Sequence, residues 1–290
     1  MNRIAVFVDS GYLFAQGSAV ISGEKKSRAS IHLDAERAIA ALRSVATDKA
    51  PHCELLRIYW YDGAIGGARP TSEQALLAAL DDVKLRLGFV NSYGQQKGVD
   101  SLIVTDLIEL ARLKSITDAL LLSGDEDVRV GVQIAQNYGI RVHLLGIHPA
   151  RGSQSLQLMQ EADTTSAWGA DTVTKFMGIR PAVQTELPLP GALIVAARQS
   201  DADKNSFIVI ADTVGDFVRA LVETDLTAIQ AYWKTERGVP PDVDRRLLPI
   251  CGKSVGRKLE AAEIKHMRTC FQKAVRGRLD HSEVTGAKKT

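Results

Sequence analysis

Cysteine is scarce in this sequence of 290 residues, with three copies at Cys53, Cys251 and Cys270. An odd number of cysteines at such distant positions fits neither a disulfide framework nor a zinc knuckle. The sequence positions of the six histidines indicate no cluster with them that would select zinc. We therefore expect a reducing compartment, in which the thiols pack as small hydrophobic side chains.

Long apolar runs are also lacking. Residues 4–8 near the start hold five apolar side chains between Arg3 and Asp9, too few for the core of a signal peptide. No stretch approaches the roughly 18 apolar residues that cross a bilayer. The sequence therefore predicts a soluble cytoplasmic protein with no membrane partner.

A large excess of one charge is absent as well, because 36 Lys and Arg residues oppose 34 Asp and Glu residues. The distribution is nevertheless uneven. Residues 234–290 hold 14 basic and 7 acidic residues, a net charge of +7, whereas residues 1–233 carry a net charge of −5. An acidic body followed by a basic segment predicts two parts with different electrostatic properties.

What the sequence does contain is an alternation of short apolar runs with segments of helical period. This pattern is typical of βαβ units and predicts an α/β fold with a mainly parallel sheet and helices on both faces. We predict strands at residues 4–8, 55–61, 119–122, 140–145 and 164–168, and helices that include 33–45, 71–87, 100–113, 128–137 and 154–162.

The chain is predicted to divide into two domains. Residues 1–178 form the α/β domain, and the proline-rich residues 179–206 form a linker or an irregular connection. Residues 207–290 form a small basic helical domain whose helix order is compatible with a helix-turn-helix. Its helices are predicted at residues 213–222, 225–234, 242–248 and 260–278.

Four aspartates map to one edge of the predicted sheet. Asp9 follows the first strand, Asp125 and Asp127 follow the strand at 119–122, and Asp100 opens the helix before that strand. Carboxyl ends of parallel strands share an edge, where open α/β sheets bind ligands. Two carboxylates about 4 Å apart repel by roughly 4 kcal/mol at an effective dielectric constant near 20. A hard divalent cation, Mg²⁺ or Mn²⁺, would offset this repulsion and activate water for phosphodiester hydrolysis.

Each aspartate also has a structural alternative. Asp100 is well placed to cap its helix, and Asp125 or Asp127 could cap the helix that begins near Val128. Considered singly, each residue fits the capping role better. Considered together, their shared edge favours a metal site.

Three short segments carry a family resemblance. V-F-V-D at 6–9, K-G-V-D at 97–100 and L-S-G-D-E-D at 122–127 occur in this order, with Asp106 further along the helix that Asp100 opens. Together, over about residues 1–168, they resemble the signature of NYN-domain proteins of the LabA/DUF88 type, a PIN-like nuclease group.

The resemblance implies a PIN-like fold and Mg²⁺- or Mn²⁺-dependent ribonuclease activity. It also implies that Asp9, Asp100, Asp125 and Asp127 are the catalytic metal ligands and that the Ser123 hydroxyl supports them.

Two positions depart from the family pattern. The family commonly has Asn three residues after the first Asp, where this sequence has Tyr12, and an aromatic residue where Val128 stands. Loss of the Asn leaves every carboxylate in place but changes how water or substrate is positioned. A weak or retuned activity is one expected consequence.

Two further residues near these motifs have open roles. Asp106 lies about 120° round the helix from Asp100, so it is either a partly buried acid behind the ligands or a structural side chain. Lys97 either contacts a phosphate group of the substrate or is a solvated loop lysine.

The basic C-terminal domain offers a surface for a phosphate backbone. Arg245, Arg246, Arg257 and Lys258 are the candidates for this contact, with a plain solvated helical surface as the alternative. We predict a metal-dependent ribonuclease, endonucleolytic in the leading hypothesis, that takes single-stranded or structured RNA, with a homodimer left open. The alternatives are a non-catalytic RNA-binding regulatory protein and a DNA-directed nuclease.

Overall fold

The strands follow the apolar runs of the sequence, because a strand that is buried on both faces needs such a run. The computed structural model describes residues 2–64, 69–90, 96–180 and 199–286. The strands are β1 (Arg3–Asp9), β2 (Ile31–Leu33), β3 (Glu54–Ala64), β4 (Val83–Val90), β5 (Gln96–Lys97), β6 (Asp118–Leu122), β7 (Arg141–Ile147), β8 (Thr164–Trp168) and β9 (Met177–Ile179).

Side-chain caps fix where several helices begin. Asp34 accepts a hydrogen bond from the amide of Arg37, and Thr71 and Gln74 form a capping box. The helices are α1 (Ser10–Ser22), α2 (Ala35–Lys49), α3 (Ser72–Ala78), α4 (Val99–Arg112), α5 (Arg129–Asn137), α6 (Ala150–Ser153), α7 (Leu156–Glu161), α8 (Ala170–Val173), α9 (Gln199–Arg219), α10 (Glu223–Thr235), α11 (Pro241–Val255) and α12 (Ala261–Gly286).

Seven of the described strands form one sheet in the order β5-β4-β3-β1-β6-β7-β8. The neighbours pair in parallel except β5, which is antiparallel to β4. Val8 on β1 lies opposite Leu122 on β6, so the residues that follow these two strands emerge side by side. The short strands β2 and β9, which the sequence analysis missed, form a separate antiparallel pair.

Helices cover both faces of this sheet. Ala5 and Phe7 of β1 pack with apolar side chains of α4 and α5, including Ile103 and Val132. On the alternate face of the same strands, α1 and α2 contact β1 and β3. The arrangement confirms the predicted fold class, an α/β fold with a mainly parallel sheet.

The prediction of one helix over residues 71–87 was wrong. Helix α3 ends at Ala78, and Asp82 adopts a left-handed backbone conformation with φ of 62° before β4 begins at Val83. Val83 pairs with Ile58 of β3. The run from Val83 alternates apolar and polar side chains, and this period of two outweighs the helical spacing of its leucines.

The C-terminal unit, residues 181–290, has its own apolar core. Helices α9 to α12 each contribute to it, and Cys251, Met267 and Phe271 are fully buried. Helix α9 begins at Gln199, within the stretch predicted as a connection, while residues 181–198 lie outside the described residues. None of the helices in the described part of the chain has the length and hydropathy of a bilayer-spanning segment.

Candidate metal centre

Asp9 and Asp125 reach one edge of the sheet because their strands are neighbours. Asp9 is the last residue of β1, and Asp125 follows the end of β6. Asp100 enters from the first turn of α4. Gly98 makes this entry possible, because it caps α4 with φ of 84°, a left-handed conformation that other residues rarely adopt. The expected capping role therefore belongs to Gly98 rather than to Asp100.

The Asp9 carboxyl group is almost enclosed, with 9% of the residue exposed. Its Oδ1 accepts a hydrogen bond from the Tyr12 amide at 3.1 Å, and its Oδ2 accepts one from the Ser123 hydroxyl at 3.3 Å. Burial above all, with a smaller contribution from the negative charge of Asp100, raises the pKa of Asp9 to about 6. A cation near Asp9 would therefore stabilise its ionised form.

Asp100, Asp125 and Asp127 form a tight carboxylate cluster, in which one oxygen from each lies within 4.8 Å of the others. The Asp127 amide donates to Oδ1 of Asp125 at 3.1 Å, so Asp125 caps a short turn with one oxygen and keeps the other. Partial burial, and then the charges of Asp125 and Asp127, raise the pKa of Asp100. The donors are all carboxylate oxygens, which suit a hard divalent ion such as Mg²⁺ or Mn²⁺.

Ser123 connects Asp9 to this cluster. Its buried hydroxyl donates to Asp9 and also accepts a hydrogen bond from the Asp125 amide at 3.3 Å. Its neighbour Gly124 has no room for a side chain, because a Cβ would lie 2.3 Å from the Ser153 carbonyl oxygen and 2.4 Å from the Tyr12 ring. The turn after β6 is thus fixed by the hydrogen bonds of Ser123 and by the packing of Tyr12 and Ser153 against Gly124.

Tyr12 occupies the position where the family pattern has Asn. Its phenol oxygen lies 3.1 Å from the Ser153 hydroxyl and accepts a hydrogen bond from the Ile147 amide at 3.1 Å. These contacts connect α1 with the segment after β7, and the side chain is largely buried. Tyr12 therefore holds the segment around Ser153, which lies next to the site, by contacts that the sequence pattern did not reveal.

An open groove of about 540 Å³ runs along these residues. Asp9, Asp125 and the exposed Lys25 are among the residues that line it. Lys25 was missed by the sequence analysis because it belongs to no motif and lies between α1 and the next turn. It adds a positive charge to a groove that otherwise presents carboxylates.

The family model of the NYN domain matches residues 3–168. This chain belongs to the NYN domain family. The match includes all four aspartates, and the NYN domain is PIN-like, in a nuclease superfamily whose members generally use divalent metals. The resemblance noted from the motifs is thereby confirmed.

The chain is also similar to two individual proteins. An uncharacterized protein, y4oD of Sinorhizobium fredii (strain NBRC 101917 / NGR234), is 55% identical over 209 residues, which cover 71% of this chain and 97% of that protein. The crystal structure of VPA0982, a protein of unknown function from Vibrio parahaemolyticus RIMD 2210633, is 25% identical, with a TM-score of 0.42 over 59% of this chain and 94% of that one.

Two other predicted site residues lie along α4 and beside it in this NYN domain. Asp106 accepts hydrogen bonds from the Tyr61 hydroxyl at 2.9 Å and from Nη2 of Arg86 at 3.0 Å, and it forms an ion pair with Arg86, whose Nε lies 2.9 Å from its Oδ2. These contacts anchor α4 to β3 and β4. Lys97 lies in β5, immediately before Gly98, and its backbone pairs with Phe89 of β4.

The predicted cations of the C-terminal unit differ in their surroundings. Arg257 donates to both carboxylate oxygens of Glu263, at 2.8 and 3.0 Å. Arg246 lies over the Phe217 ring, 4.9 Å from its centroid. Arg245 is exposed on α11, and Lys258 is exposed in the connection between α11 and α12.

Proposed function

We propose that this NYN domain is a metal-dependent ribonuclease that hydrolyses RNA phosphodiester bonds with Mg²⁺ or Mn²⁺. The observation that carries the proposal is the convergence of three carboxylates within 4.8 Å, with the buried carboxyl of Asp9 beside them. Such a cluster is electrostatically costly without a cation. The family's place among PIN-like nucleases supports the same chemistry.

Asp100, Asp125 and Asp127 would hold the ion, with Asp9 completing its surroundings. When bound, the ion supplies a water molecule of lowered pKa and neutralises charge on the phosphate group. Ser123 and the Tyr12 amide fix the orientation of the Asp9 carboxylate by one hydrogen bond to each of its oxygens. Lys25, which lines the same groove, would bind a neighbouring phosphate group.

RNA is the proposed substrate, in single-stranded or structured form. The C-terminal unit would contribute affinity through its surplus of positive charge, and its exposed Arg245 and Lys258 are the candidates for phosphate contact. Arg246 and Arg257 would contribute charge while also holding Phe217 and Glu263. Contacts of this kind are electrostatic and do not depend on the RNA sequence. The affinity for RNA should therefore fall steeply as the salt concentration rises.

The decisive experiment compares wild type with Asp125→Asn on labelled RNA and on DNA of the same sequence, with Mn²⁺, Mg²⁺ or EDTA. Asn keeps the cap of the short turn but weakens the metal ligand. We expect RNA cleavage that EDTA abolishes and a loss of at least roughly 100-fold in Asp125→Asn, since even partners of metal ligands cost 10–100-fold. Asp48→Asn, on the exposed surface of α2, is the matched control.

Two outcomes would contradict the proposal. RNA binding without cleavage by any metal-loaded preparation would identify a non-catalytic RNA-binding protein, the role that the replacement of Asn by Tyr12 motivates. Faster cleavage of DNA than of RNA would identify a DNA-directed nuclease.

A further inference from the structure

A second group of potential metal ligands lies at the opposite edge of the sheet. Asp118 is the first residue of β6, and 1% of it is exposed. His52 and Cys53 come directly before β3, at the same amino-terminal edge. The proposed nuclease site lies at the carboxyl ends of these strands, so this group is independent of it.

The three side chains meet at one carboxylate oxygen. Oδ2 of Asp118 lies 3.1 Å from Sγ of Cys53 and 3.5 Å from Nε2 of His52. All three candidate ligand atoms lie within 4.8 Å of one another. The side chain of His52 is 48% exposed, which leaves a path from solvent to the group.

The oxygen–nitrogen and oxygen–sulfur separations are close to the edges of a tetrahedral zinc site. Zinc binds sulfur at about 2.3 Å and nitrogen or oxygen at about 2.0–2.2 Å, so a tetrahedron has oxygen–nitrogen edges near 3.3 Å and oxygen–sulfur edges near 3.5 Å. The observed 3.5 and 3.1 Å differ from these values by a few tenths of an ångström. An ion could therefore enter with small side-chain adjustments.

His143 holds the Asp118 carboxylate in place. Its Nε2 lies 3.1 Å from Oδ1 of Asp118, and its Nδ1 lies 2.8 Å from the Thr164 hydroxyl. His143 is 1% exposed, so the ring is fixed by packing as well as by hydrogen bonds. This contact orients the other oxygen, Oδ2, towards His52 and Cys53, the kind of support that protein metal sites use.

We propose that His52, Cys53 and Asp118 bind one Zn²⁺ ion, with water as a fourth ligand. A thiolate and an imidazole select zinc over the hard ions that suit the carboxylate cluster. On binding, the sulfur–hydrogen bond of Cys53 breaks, the sulfur–zinc bond forms, and the proton leaves to solvent. The ion would join the turn before β3 to the start of β6.

Cobalt absorption tests the proposal directly. The chain of 290 residues, stripped of metal with EDTA and kept reduced, is titrated with Co²⁺. A thiolate ligand gives a charge-transfer band in the near ultraviolet that carboxylate ligands do not give. We expect this band at one equivalent, with its loss when Zn²⁺ is added. Co²⁺ bound at the proposed nuclease site would have no sulfur ligand and would give no such band. The band therefore tests the zinc proposal, whereas RNA cleavage tests the nuclease proposal.

Variants identify the ligands. Cys53→Ser should abolish the band, whereas Cys270→Ser, which removes a thiol 3.3 Å from His266, should leave it unchanged. His52→Ala changes an exposed turn residue without threatening the fold, and it should weaken Co²⁺ binding at least roughly tenfold. No band in the wild type, a band that survives Cys53→Ser, or affinity unchanged by His52→Ala would overturn the proposal.

Discussion

The phenol oxygen of Tyr12 on α1 lies 3.1 Å from the hydroxyl oxygen of Ser153 at the end of α6. The same phenol accepts a hydrogen bond from the Ile147 amide, the last residue of β7. One side chain therefore fixes the segment that faces Gly124 and the turn after β6. The substitution that separates this sequence from its family pattern supplies a structural contact of its own.

Tyr12→Phe removes this contact while keeping the ring. It leaves the buried Ile147 amide without its acceptor, so we expect the free energy of unfolding to fall by about 1–3 kcal/mol. Urea unfolding measures the change. Tyr138→Phe, at a half-exposed tyrosine, is the control and should have little effect. Equal free energies of unfolding for the two variants would show that the Tyr12 hydroxyl does not stabilise the fold.

Gly124→Ala should destabilise the turn that carries Asp125. Its methyl group would lie 2.3 Å from the Ser153 carbonyl oxygen, so backbone must move, at a cost of about 1–3 kcal/mol. Thermal and urea unfolding measure it. Gly277→Ala is the matched control, because no atom lies within 4 Å of its added Cβ. That partly buried helical position should gain roughly 0.5–1 kcal/mol from alanine. A neutral Gly124→Ala would contradict the close approach.

Asp9→Asn should stabilise the metal-free protein at neutral pH. The pKa of Asp9 is about 6 in the folded protein and 3.8 in its ordinary state, so folding binds a proton between these values. Wild-type stability in EDTA therefore falls as the pH rises from about 4 to about 6 and stays lower above that, by up to about 3 kcal/mol. Asp9→Asn removes this loss.

In the presence of Mn²⁺, wild type should be more stable than Asp9→Asn, the reverse of the order expected in EDTA. The ion binds the folded wild type and raises its stability by mass action, whereas Asp9→Asn has lost part of the site. Unfolding curves at pH 4 and pH 7.5, each with EDTA or Mn²⁺, test both statements. If Asp9→Asn is no more stable than wild type at pH 7.5 in EDTA, the buried Asp9 carboxylate does not destabilise the metal-free protein, and the prediction is wrong.

Lys25→Ala tests the positive part of the groove. If Lys25 binds a phosphate group of RNA, its loss should raise KM at least roughly tenfold and leave kcat nearly unchanged, because a charged hydrogen bond contributes roughly 1.5–3 kcal/mol. Lys26→Ala is the neighbouring control, since Lys26 pairs with Glu24. Steady-state cleavage at low salt gives both constants. Equal KM values for the two variants would exclude the contact.

Glu263→Gln should lower stability in a pH-dependent way. Hydrogen bonds from Arg257 lower the pKa of Glu263 to about 2, below its ordinary 4.5. This stabilisation is complete above about pH 5 and disappears as the pH falls to about 2. We expect a difference of about 1–3 kcal/mol at pH 7 and a small one near pH 2.5 in urea unfolding. A difference that is constant across this range would contradict the ion pair.

The centre of the sheet could be predicted because its signal is local. The apolar runs of β1 and β6 and the aspartates that follow them place Asp9 and Asp125 at one edge with no further information. The helix predicted over residues 71–87 failed because leucine spacing fits a helix and a strand equally in a short window. Pairing with β3 decides the outcome, and that partner is distant in sequence.

The supporting contacts could not be predicted, because their partners are far apart in the chain. Tyr12 and Ser153 are 141 residues apart, and Cys53 and Asp118 are 65 apart. Neither pair belongs to a local sequence motif, because the fold brings its two members together from distant parts of the chain. Scattered cysteines and histidines indicated no metal site for the same reason.

Strand β6 begins at Asp118 and ends one residue before Ser123, and each of its five residues is buried. The strand is therefore a rigid spacer between the two proposed ion sites, one with a thiol and an imidazole and one with carboxylates. At about 3.3 Å per residue, ions at its two ends would lie roughly 15–20 Å apart. Paramagnetic ions at both ends would be coupled through space, and pulsed electron paramagnetic resonance would measure their separation.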